Sequence, residues 1–483
     1  MNNINLFIKK YSSLNIVVKA SIWFTICSFL QKGISIVTMP IFTRLLSTAE
    51  YGRYSIYVSW YNIFIIFMTL NIHKEIFNKG LIENDEAKDE YTTNQMGLII
   101  VLGIIFTVLY AMFHNIINTV TSLSIFLTTF LILEVVSNSI VSLWTARKRF
   151  DYEYKKIIAI TLLTSITNPV IGVLLVLLSS YKVEARVVSV VIVPLILSLI
   201  FLIIYSKKGK FFKEKFLWKK AVVRSIPLLP HYLSLVLLNQ ADKLMINHFY
   251  NSSYAAIYSI AHTAGLLMVL VNESLNNAFV PWAYGKIKEN KAKNLQKMIS
   301  PLLLTVLVAN LILIWIAPEC IYLLAPQEYR GAIWCIVPIA VSVYCTFIYT
   351  LFVDVEIYYN GGIFVTLGSV LATIINIILN YIFIPKYGYI AAAYTTFISY
   401  LITAIMHYFF LKTILKRNNI KQDMFEIRKM IIVFVLLITL SIIALLTYDN
   451  YIIRYLFILA LIVIAFLKKK NIIMAIKNMK AKK

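Results

Sequence analysis

The chain has 483 residues, of which 60% are hydrophobic and 14% charged, with a mean hydropathy of +0.79 and a formal net charge of +24. Soluble domains carry about 25% charged residues, so this composition excludes a water-soluble catalytic domain and indicates a chain embedded in lipid. The excess positive charge is spread over many short gaps and never gathered on one soluble face, which excludes nucleic-acid binding as the reason for it.

Hydropathy predicts spans at 16–45, 51–72, 93–113, 120–145, 157–179, 185–205, 222–248, 254–283, 298–318, 331–352, 362–384, 389–412, 430–447 and 451–467. Each is close to the roughly 20 residues that an α-helix needs to cross a hydrocarbon core of about 30 Å. The expected fold is all-α: a polytopic membrane protein of about 14 transmembrane helices. No small-residue cleavage site follows a short apolar run near Met1, so the first span reads as a retained anchor.

Most of the 46 Lys and Arg residues lie at the N-terminus, in every second gap and in the tail. The gap from Lys207 to Arg224 is the richest, and the tail from Lys468 to Lys483 follows it. Cations stay cytoplasmic, which places both termini in the cytoplasm of a multi-pass protein.

Two segments in opposite halves share a plan. PIFTRLLSTAEYGRYSIYVSWYNIF (Pro40–Phe64) and DKLMINHFYNSSYAAIYSIAHTAGL (Asp242–Leu266) each give a charged aliphatic helix end, a short polar turn and a new helix rich in Tyr and Ser. Such repeats point to a transporter built from two bundles. We divide the chain into an N-lobe of six spans (1–206), a basic cytoplasmic linker (207–221), a C-lobe of six spans (222–415), and two additional spans with a basic tail (416–483).

The runs DKLMINHFYNSSYAAIYSIA (Asp242–Ala261), NNAFVPWAYGKI (Asn276–Ile287), NIILNYIFIPKYGYIAAAYTT (Asn376–Thr396) and RLLSTAEYGRYS (Arg44–Ser55) resemble the polysaccharide and O-antigen flippases of Wzx type. These belong to the multidrug/oligosaccharidyl-lipid/polysaccharide exporter superfamily. The resemblance covers about residues 15–415, with the IPKYG turn its most specific part; Ala255 and Ala391–Ala393 stand where such proteins often have Gly. It implies translocation of undecaprenyl-diphosphate-linked oligosaccharide by alternating access around a polar cavity in a bacterial plasma membrane. A polysaccharide polymerase of the same pathway and membrane lipids are the implied partners. The coupling ion, H+ or Na+, stays open, and no cofactor is expected.

Charges within spans are costly, roughly 2.5–3.5 kcal/mol at the bilayer centre on insertion scales, and so mark candidate sites. Lys32 is expected to bind the substrate diphosphate or to pair with Glu134 at similar depth. Asp242 and Lys243 are adjacent and about 100° apart on their helix; Asp242 reads as a gate partner for Arg44 or Arg53, or as a substrate contact. Lys243 either meets substrate or snorkels. Glu273, Asn276 and Asn277 share one helix face and are expected to meet sugar hydroxyls or neighbouring helices. Arg44 and Arg53 otherwise read as interfacial cations, and Asp354 and Glu356 have no account from sequence.

Trp60, Tyr61, Trp144, Trp218 and Trp282 lie at span ends as an aromatic belt. Cys27, Cys320, Cys335 and Cys345 lack metal or redox spacing. With no GxxxxGK[ST] and no HExxH, ATP hydrolysis and metal-site catalysis are not expected, and no catalytic or metal residues are assigned. The rival readings are a lipid-linked peptidoglycan precursor flippase, a cation-coupled multidrug exporter, and a membrane-embedded glycan enzyme. The enzyme would require a long polar loop, and every gap here is short.

Overall fold

The computed structural model describes residues 15–420 and 422–463. Among them the regular structure is helical: α1 (Ile16–Leu45), α2 (Thr48–Thr69), α3 (Glu75–Glu83), α4 (Lys88–Thr121), α5 (Ile125–Phe150), α6 (Tyr154–Leu178), α7 (Lys182–Ser206), α8 (Lys215–Ser225) and α9 (Leu229–Phe249) come first. Then follow α10 (Ser252–Lys288), α11 (Asn294–Trp315), α12 (Ala317–Leu324), α13 (Ile333–Tyr358), α14 (Gly362–Tyr387), α15 (Ile390–Arg417), α16 (Ile427–Leu446) and α17 (Tyr451–Val463). The protein is thus a polytopic all-α membrane protein.

Twelve helices among the described residues are long and apolar enough to cross a membrane. The other two predicted spans also form helices. In α2 the Tyr, Ser and Asn residues and Arg53 dilute the hydropathy, and α17 is short within the described residues, which end at Val463. The basic tail from Lys468 lies outside them.

The polar turns of the sequence repeat are helix caps. Ser47 accepts from the Glu50 amide at 3.3 Å while the Glu50 carboxylate accepts from the Ser47 amide at 2.8 Å, a reciprocal capping box. Asn251 caps α10 by accepting from the Tyr254 amide at 3.2 Å. Each cap satisfies amides that the first turn of a helix leaves open. The IPKYG turn ends α14 on Gly388, whose φ of +79° only glycine adopts without strain.

The chain divides into two compact units, Met1–Leu233 and Ser234–Lys483. Helix α8 belongs to the first unit. Trp218 Nε1 donates to Asn94 O at 2.9 Å, and Arg224 and Lys220 clamp Glu83 at 2.7 and 2.9 Å.

The first unit is centred on Leu143, Trp144, Phe77, Tyr91 and Phe201, with Trp144 stacked on Phe201 at 4.4 Å. In the second unit α13 is the central helix and packs on α10, α11, α14, α15 and α16. Helices in lipid gain little from the hydrophobic effect and approach closely through small residues. Ala255, Ala256, Ala261, Ala264 and Gly265 accordingly line the buried face of α10. A Cβ on Gly265 would stand 2.5 Å from the Ile339 side chain of α13.

Candidate functional site

Three helices of the first unit carry polar residues at helical spacing: Ser28 and Gln31 on α1, Asn138, Ser142, Thr145 and Arg149 on α5, and Thr161, Thr164 and Asn168 on α6. These offsets of three, four and seven place each set on one helix face. The three faces enclose a cavity of about 600 Å³, closed further by His73, Lys74, Glu75 and Asn78 after α2 and by Pro194 of α7. Arg149 lies over the Phe24 ring at 5.3 Å. His73 Nδ1 and Asn168 Oδ1 are buried with no hydrogen-bond partner, so the wall keeps a ring nitrogen and a carbonyl for a polar ligand. The stripes were available in the sequence, but a search for formal charges passes over amides and hydroxyls.

Lys32, the expected cation of this unit, is not part of that wall. Gln31 lines the cavity, and Lys32 projects about 100° away on an exposed face of α1.

Glu134 also departs from its expected pairing with Lys32. Its carboxylate accepts from Tyr57 Oη at 2.5 Å and from Asn138 Nδ2 at 3.5 Å, while Asn138 also donates to Tyr61 Oη at 3.0 Å. The cation acting on it is Arg186. Arg186 is 9% exposed, one turn inside α7. Its guanidinium lies over Phe42 at 4.0 Å and Tyr54 at 5.0 Å and donates to Ser189 Oγ at 2.8 Å. Gly172 makes the room, since a Cβ there would meet Arg186 Nη1 at 2.8 Å.

In the second unit the segments that carried the family resemblance come together. Asp242 on α9 is 2% exposed, and its carboxylate accepts from Asn380 Nδ2 at 2.6 Å, from Thr396 Oγ1 at 2.6 Å and from Tyr258 Oη. Asn380 also donates to Asn376 Oδ1 at 3.1 Å, and Asn376 donates to Thr396 at 3.2 Å. Both oxygens of Asp242 are therefore taken within its own unit, and Arg53 is turned to Glu184 at 3.4 Å. Arg44 donates to Pro40 O at 2.9 Å. Lys243 Nζ reaches Gln240 Oε1 at 3.4 Å.

Of the three residues expected on one face of α10, Glu273 and Asn277 are exposed, whereas Asn276 is half-buried. The backbone carbonyl of Asp354 accepts from Tyr284 Oη at 3.1 Å. Glu356 is fully buried against His407 of α15, with both carboxylate oxygens 3.0–3.1 Å from Nδ1.

Each unit holds a polar cluster inside an apolar bundle. Comparison with known proteins gives this arrangement a family. The family described as Polysaccharide biosynthesis protein matches residues 17–284. The chain belongs to that family. A Haemophilus influenzae protein named for its Lsg locus is 22% identical over 378 residues, covering 75% of this chain and 90% of that protein. A solved structure titled as the lipid II flippase MurJ in an inward closed conformation is similar with a TM-score of 0.68 at 15% identity, covering 93% of this chain and all of that one. An inward-facing multidrug resistance MATE transporter of the MOP superfamily is similar at 0.61 and 12% identity, covering 81% of this chain and 96% of that one. At such identities the two structures establish a shared fold.

Proposed function

We propose that the protein is a flippase that moves undecaprenyl-diphosphate-linked oligosaccharide repeat units across the plasma membrane of a bacterium by alternating access, for surface polysaccharide such as capsule or O-antigen. The observation that carries this reading is the polar cavity of about 600 Å³ inside the apolar first unit. A sugar diphosphate stripped of water loses several kcal/mol for each polar group left unpaired, so its passage requires a wall of this kind. Amides and hydroxyls at Gln31, Asn138, Thr164 and Asn168 suit sugar, and Lys74 and Arg149 suit phosphate. Glu75 is the one carboxylate among the lining residues, which favours an anionic headgroup over the cationic drugs of a multidrug exporter.

Lys32 and Lys243 contact the diphosphate in this reading, and Glu273, Asn276 and Asn277 contact sugar hydroxyls. The membrane supplies the lipid tail's path, a polymerase consumes the product, and both termini stay cytoplasmic. No covalent step is required of the chain.

Deleting the gene and analysing lipid-linked glycans tests the proposal. Accumulation of a lipid-linked oligosaccharide, restored to surface polymer by the wild-type gene but not by Asn138→Ala/Asn168→Ala, is expected. Accumulation of lipid-linked peptidoglycan precursor in its place favours the related flippase activity. Drug sensitivity with unchanged lipid-linked pools overturns both.

A further inference from the structure

Helix α8 presents two faces of opposite character. Trp218, Ala221 and Ser225 turn inward: Trp218 is tied to Asn94, and Ala221 and Ser225 are buried. The opposite stripe, Phe216, Lys219, Val223 and Ile226, is exposed, Phe216 to 73%, and Phe212 just before the helix is exposed as well.

The cations of this segment fall into two sets. Lys208 is held by Asp89 at 2.8 Å, Lys213 by Glu90 at 4.0 Å, and Lys220 and Arg224 by Glu83. Lys207, Lys210, Lys215 and Lys219 make no ion pair among the described residues. Beside them Lys210, Lys213, Asn94, Glu90 and Glu214 line a cavity of about 90 Å³. Asn94 is 3% exposed, and both polar atoms of its side chain lack a partner.

A stretch this rich in cations is too costly to sit in hydrocarbon, whereas bare Phe rings are unfavourable in water. The headgroup level of a bilayer satisfies both. Topology alone calls for the charges and leaves the interleaved exposed aromatics unexplained.

We propose that residues 207–226 form an interfacial anchor for anionic phospholipid, independent of the transported substrate. Phe212, Phe216 and Val223 insert among the tops of the acyl chains, and Lys207, Lys210, Lys215 and Lys219 pair with headgroup phosphates. The acid-paired cations hold the helix on the protein, and the unpaired lysines hold it on the lipid.

The test uses the full chain in nanodiscs of phosphatidylcholine with increasing phosphatidylglycerol and a nitroxide at Val223→Cys, with oxygen and an aqueous nickel chelate as collision probes. The label is expected to become oxygen-accessible and chelate-protected as phosphatidylglycerol rises. Each Lys→Gln change at 207, 210, 215 or 219 should weaken the apparent lipid affinity about fivefold, the effect of one basic residue at an anionic surface. The quadruple Lys→Arg variant should keep insertion, which separates lost charge from lost folding. Trp218 fluorescence should stay unchanged in the Gln variants. A label equally buried in pure phosphatidylcholine, or chelate-accessible in every composition, overturns the proposal.

Discussion

Removing the Asp242 carboxylate should loosen the second unit by an amount that follows from its bonds. Three donors, Asn380, Thr396 and Tyr258, converge on it from three other helices. Polar contacts between membrane helices average about 0.6 kcal/mol and reach about 1.7 in double-mutant cycles, so Asp242→Ala should cost about 2 to 5 kcal/mol. Asp242→Asn keeps the shape and one acceptor oxygen, and the Thr396 and Tyr258 hydroxyls can rotate to accept from the new amide. Its cost should be near that of one bond, about 1 kcal/mol. Thermal unfolding of the purified protein in detergent ranks the variants, with Thr396→Val as the partner change in a cycle. A coupling between Asp242→Ala and Thr396→Val below about 0.3 kcal/mol, or an Asp242→Ala protein as stable as wild type, would refute the assignment of these bonds as a stabilising network.

The hydrogen bonds from Arg224, and then from Lys220, hold the Glu83 carboxyl at about 2, below its ordinary 4.5. A depressed carboxyl stabilises the charged tie above its unfolded value, so α8 docking should persist at neutral pH and weaken as pH falls from about 4.5 toward about 2. Trp218 fluorescence reads this, and Glu83→Gln should remove the pH dependence. Gly368→Ala should cost about 1 to 3 kcal/mol in thermal unfolding, because its Cβ would stand 2.4 Å from His407 Nε2 while Glu356 holds the other side of the ring. Arg186→Lys should be nearly as damaging as Arg186→Met, since an ammonium loses the planar stacking on Phe42 and Tyr54; equal stability of Arg186→Lys and wild type would contradict the stacked geometry.

Apolar runs and cation spacing made the helices legible, because lipid imposes length and side on every span. The segments that carry the resemblance come together: Asn380 and Thr396 of one quoted run bond to Asp242 of another, and Asn376 bonds to both of them. What sequence could not supply was direction around each helix. Gln31 and Lys32 are neighbours, yet one lines the cavity and the other does not. Nothing in the sequence marks Arg186 as buried, and only the ring pair of Phe42 and Tyr54 with the space at Gly172 shows why it is. Glu356 had no account because its partner, His407, lies 51 residues away on another helix.

Three of the five hydroxyls lining the first-unit cavity are already spent as donors. Ser28 donates to Phe24 O, Thr145 to Val141 O and Thr164 to Ile160 O, each the carbonyl one turn back on its own helix. Their lone pairs are left free, so they meet a polar ligand as acceptors and need none to be content when the cavity is empty. Exchanging such residues to suit a different ligand leaves no orphaned donor in the wall. Selection for a different ligand can therefore proceed one side chain at a time, with the folding of the bundle left largely indifferent to the exchange.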